Sequence, residues 1–86
     1  MGEQASQYGI VIELVPLEGM ARSPMHAGKA ASSDEAMIEA EKMLAEDLDI
    51  RGVIVFAIDD PSGFSQHISR SDWEKSGHDG WAPLAR

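Results

Sequence analysis

The stretch Ser32-Ser33-Asp34-Glu35-Ala36-Met37-Ile38-Glu39-Ala40-Glu41-Lys42-Met43-Leu44-Ala45-Glu46-Asp47-Leu48-Asp49-Ile50-Arg51-Gly52-Val53-Ile54-Val55-Phe56-Ala57-Ile58 contains a helix, its two ends and a strand. Ser32 stands three residues before Glu35, the spacing of a capping box, and Asp34 and Glu35 suit the positive end of a helix dipole. Turning 100° per residue gathers Met37, Ala40, Leu44 and Leu48 into one apolar stripe and sends Glu35, Glu39, Lys42, Glu46 and Asp49 to the opposite side. The spacing therefore predicts a one-sided helix from about Ser33 to Leu48, stopped by Arg51-Gly52 with Gly52 in the left-handed position after it. The unbroken apolar run from Gly52 to Ile58 predicts a central strand buried on both faces, sheltered by the helix on one side and by the tail or a second copy on the other. Together they make a helix packed on a sheet.

Working outward, Tyr8 to Val15 reads as a first strand that Pro16 ends, with Gly9, Val11, Glu13 and Val15 on a half-covered face. A structureless loop from 17 to 31 is too long for so small a domain, so a second strand is expected within Ser23 to Ala31, antiparallel to the first, with Leu17 to Arg22 as its turn. Asp60-Pro61-Ser62-Gly63 has the residues of a tight turn, and Phe64 to Ser69 returns as a strand with one wet face. Arg70 is expected to pair weakly with Asp59 or Asp60, and Ser71 to cap one helical turn at Ser71 to Ser76. The predicted class is α+β, a ββαββ domain with a mainly antiparallel sheet; dropping the second strand gives βαββ. Residues 8–86 form the single expected domain, after a disordered start at 1–7.

The chain has 86 residues, no cysteine and a formal charge of -8. A core of this size is thin, and without disulfides self-association gains weight as a source of stability. From Asp34 to Asp49 seven acids face Lys42 alone, so the helix side repels phosphate backbones and argues against nucleic-acid binding. No apolar run is long enough for a membrane span, and Met1-Gly2-Glu3-Gln4-Ala5-Ser6 has neither the basic start nor the apolar stretch of a secretion signal, although it fits a loose myristoylation pattern. These features lead us to expect a cytoplasmic protein that does not bind membranes.

His26, His67 and His78 are the raw material for metal or proton-transfer chemistry, but none has a ligand partner at helical spacing, and no metal site or cofactor is expected. The serines fall where caps and turns need them, and no nucleophile elbow or phosphate loop is present, so no enzyme is expected. Trp73 and Trp81, both in the last fourteen residues, and Ile38 and Met43, off the main helix stripe, remain as candidate interaction residues. The first expectation is a non-catalytic homodimer formed through a strand edge or an uncovered sheet face. The second is an acidic regulator whose helix occupies a protein partner's basic surface, and the third a small-ligand binder or enzyme using His67 and a pocket between helix and sheet.

Overall fold

The computed structural model describes residues 7–58 and 63–84. Its elements are β1 (Tyr8–Leu14), β2 (Met25–Ala30), α1 (Ser33–Glu46), β3 (Ile50–Ala57), β4 (Ser65–Ser69), α2 (Arg70–Ser76), a 3-10 turn (Gly77–Gly80) and β5 (Ala82–Pro83). The strands form one antiparallel sheet in the order β2-β1-β3-β4-β5. This is the ββαββ arrangement, with β3 at the centre. The expected disordered start, the myristoylation pattern and most of the Asp60–Gly63 turn lie outside the described residues. No described helix is long and apolar enough to cross a membrane.

The second strand falls inside the predicted window, and the turn before it is tight. Glu18 and Gly19 take φ of 51° and 79°, the paired positive values of a two-residue hairpin whose twist matches its strands, and Leu17 and Met20 exchange both backbone hydrogen bonds at 2.9 Å. The hairpin tip projects from the body as an arm, with Leu17 59% and Met20 71% exposed. At the arm's base Arg22 donates to the Val15 carbonyl at 2.8 Å and to Asp49 at 2.7 Å, tying the arm to the turn after α1.

Helix α1 begins as predicted: Ser32 Oγ accepts from the Glu35 backbone N–H at 3.1 Å, while Glu35 reaches back to the Ala31 N–H at 3.3 Å. It lays Ala36, Ala40 and Leu44 on Ile10, Val53, Val55 and Ile68, which are all but inaccessible to water. The helix ends at Glu46, so Leu48 lies beyond it and is 79% exposed instead of completing the stripe. Gly52 is not its terminator, because β3 begins at Ile50. The stop comes from elsewhere in the chain. Arg70 donates to the carbonyls of Leu44 at 2.8 Å, Asp47 at 2.8 Å and Ile50 at 2.9 Å, at the junction of α1 and β3, and so answers an acceptor that the end of the helix leaves open at Leu44; Asp59 and Asp60, its expected cross-strand partners, lie outside the described residues. Similarly, α2 is capped by Ser69, two residues earlier than Ser71, through the Asp72 N–H at 3.1 Å.

The tail folds back on the helix side. Trp73 and Trp81 pack against the core, and the Trp81 indole N–H donates to Glu41 at 2.6 Å, with His78 Nδ1 on the same carboxylate oxygen. Glu41, an acid interrupting the apolar arc in the sequence, is thus the polar anchor of the tail. The predicted second cover for β3 is absent among the described elements: both helices serve one side of the sheet, and Ile54 and Phe56 on the other side are half-buried by their neighbours within the sheet.

Candidate functional site

Antiparallel pairing fixes which side chains share the uncovered face. Gly9 opposes Phe56, Val11 opposes Ile54, Glu13 opposes Gly52, and on the next strand His67 opposes Ile54 and Ser65 opposes Phe56. Across β2, His26 lies beside Val11 and Lys29 beside Gly9. The face therefore has an apolar centre of Val11, Ile54 and Phe56 and a polar rim, the layout of a protein contact surface. Phe56 lies down over Gly9, where an added Cβ would come within 2.6 Å of its ring, and its edge meets the His26 ring with centroids 5.8 Å apart.

Charge divides between the two sides of the molecule. The face carries Lys29, Arg51, His26 and His67 against Glu13, whereas α1 and the turn after it, from Asp34 to Asp49, carry seven acids against Lys42. Several of those helix-side acids have partners within the chain: Glu41 holds Trp81 and His78, Asp47 accepts from the Asp49 N–H at 2.9 Å, and Asp49 holds Arg22.

One corner of the face is built more closely. Glu13 Oε1 lies 3.0 Å from His67 Nε2, the two side chains meeting diagonally over Gly52. An ionised carboxylate only accepts, so Nε2 is the donor. Gly52 is what allows the contact: a Cβ there would lie 2.8 Å from Glu13 Oε1 and 3.1 Å from His67 Nε2. A shift in register between Glu13 and Leu14 leaves Arg51 as the extra residue of β3, a bulge that turns its side chain to the corner of the glycine next to it. Glu13, Arg51, His67, Ser69 and, from the tail, Leu84 line a cavity of about 400 Å³. Gly52→Ala is expected to force the pair apart and strain β3 against the Ile68 carbonyl, 3.2 Å from the new carbon, with a loss of about 1–3 kcal/mol in urea unfolding and loss of the Glu13-dependent His67 imidazole signal by NMR.

Of the residues singled out in the sequence, Trp73, Trp81 and Met43 pack against their own core, and Ile38 is 57% exposed on α1. His67 faces away from the helix, so no helix-and-sheet pocket contains it. Among the described residues no three His, Cys, Asp or Glu side chains cluster as metal ligands. Glu13 and Arg51 were not singled out, although two signals pointed to them: an acid alone inside an apolar strand, and a glycine inside the next strand, where close approach of another group is a common reason for it. Comparison with protein-family models, curated proteins and solved structures finds no match to this chain.

Proposed function

We propose that the protein acts by association, pairing with a second copy of itself through the uncovered sheet face. The observation that carries this reading is the one-sided layering: α1, α2 and the tryptophans all lie on one side, and among the described elements none forms a layer over the apolar centre Val11, Ile54 and Phe56.

Three further features favour a second copy as the occupant. The helix side carries the charge that makes two copies repel, while the sheet face, with Glu13 against Lys29 and Arg51, does not. Strands 4.8 Å apart and rising 3.3 Å per residue give the face a flat footprint of about 450 Å², which after side-chain relief approaches the lower range of a stable contact. The arm, whose tip exposes Leu17 and Met20, supplies those two side chains to lengthen that contact. Two such faces stacked about 10 Å apart give a helix-sheet-sheet-helix sandwich. The acidic-regulator reading has less support, because Glu41, Asp47 and Asp49 already hold groups of their own chain.

Size-exclusion chromatography with light scattering tests the reading on the intact chain. The expected mass is near twice 9.3 kDa at about 50 μM, with dissociation on dilution in the range of an interface this small. A mass of 9.3 kDa at every concentration removes it.

A further inference from the structure

We infer that the corner cavity of Glu13, Arg51, His67, Ser69 and Leu84 is a binding site for a small carboxylic acid that bears a hydroxyl on the carbon next to its carboxylate. The site is assembled from three strands and the tail, and two departures from regular strand structure create it. The bulge presents Arg51, and glycine at position 52 leaves the floor open for the Glu13–His67 pair. Neither is needed to build the hydrophobic core, which lies on the other side of the sheet.

The chemistry of the lining defines the ligand. Arg51 has no hydrogen-bond or ion-pair partner among the described residues, and a guanidinium fork matches a carboxylate with two parallel N–H donors. The Ser69 hydroxyl oxygen already accepts from the Asp72 N–H, which leaves its hydrogen to donate. The same lining holds an acceptor, the second oxygen of Glu13, whose Oε1 is engaged by His67. A ligand with only an acid group leaves that acceptor unanswered; the single hydrogen of a neighbouring hydroxyl answers it. Leu84 closes one wall with a short apolar surface, and about 400 Å³ accommodates a small molecule. The cavity lies on the same face as the proposed contact, beside its apolar centre, so the titration is read on protein diluted below the range in which copies pair and its outcome is separate from that of the association.

The test is titration of the full chain with sodium glycolate, sodium acetate and sodium phosphate, followed by amide chemical shifts and calorimetry. Glycolate is expected to saturate with shifts centred on Arg51, Gly52, His67 and Ser69, and acetate to bind at least about tenfold more weakly. Arg51→Gln should abolish both, and Glu13→Gln should bring glycolate down to the level of acetate. Unfolding midpoints establish that the variants are folded; if Arg51→Gln does not fold, Arg51→Lys replaces it, with the same loss of fork geometry. Absence of saturable shifts, equal affinity for phosphate, or affinity unchanged by the Arg51 and Glu13 substitutions overturns the inference and leaves Glu13–His67 as a cross-strand contact only.

Discussion

Replacing Arg70 by alanine is expected to lower stability by about 3 kcal/mol, the largest effect of any single polar substitution in the described structure. Its guanidinium donates to three carbonyls, those of Leu44, Asp47 and Ile50, at the junction where α1 ends and β3 begins. Hydrogen bonds from a charged donor contribute more than neutral ones, and removing the donor takes it from the partly buried Leu44 and Ile50 carbonyls, while the Asp47 carbonyl keeps the Ile50 N–H. The three contacts share one side chain and are not additive, which is why the figure is close to that of one or two such bonds. For a domain of this size 3 kcal/mol is a substantial part of the whole, corresponding to a fall of roughly 15 °C in Tm. Urea unfolding at fixed protein concentration is the measurement, and an unchanged slope with a lower midpoint identifies the loss as one of stability. Arg70→Lys should recover only part, since a single ammonium cannot reach all three carbonyls as the fork does. A midpoint unmoved in Arg70→Ala means that α1 ends without its help.

The second large effect concerns association. Ile54→Asp is expected to weaken pairing of copies by about a hundredfold while the subunit stays folded, because an aspartate at the centre of the contact must be desolvated there without a partner. Within the subunit the cost is smaller: Ile54 is half-buried on the face opposite the core and Val53 and Val55, which build the core, are untouched. Ile38→Asp is the matched control. That residue is 57% exposed on α1, and if copies met through the helix flank its substitution, not that of Ile54, would dissociate them. Light scattering across a dilution series separates the two; an Ile54→Asp variant that self-associates as the wild type does removes the sheet face as the contact.

How far each element was legible follows from the range over which its cause acts. The start of α1 is encoded by residues three apart, Ser32 and Glu35, and the bonds form as their spacing dictates. The β1–β2 hairpin was inferred by excluding a long bare loop, and its turn is closed by neighbours, Leu17 and Met20. The end of α1 was misplaced because it depends on Arg70, which lies 26 residues beyond Leu44 and whose role appears only when β4 returns alongside β3. The same holds for the corner cavity: Glu13 and His67 are 54 residues apart, and a single-residue register shift decides whether Arg51 joins them. Gly52 read locally as a helix stop, a common use of glycine, and only the pairing of three strands reveals it as space kept for other side chains. The both-sided apolar character of β3 correctly predicted its central place; it did not say that its second side would be left without a layer.

The two borders of the sheet differ in what they allow. Beyond β4 the sheet finishes in a stub of two residues, the second a proline with no amide hydrogen to offer an incoming strand, while β2 at the opposite border leaves a full strand of six residues exposed. Endless ribbon growth requires that every added chain present a fresh acceptor on its far side. A chain docked by β2 would turn this shortened margin outward, which among the described residues offers an incoming strand the two residues of β5 and no amide hydrogen at Pro83.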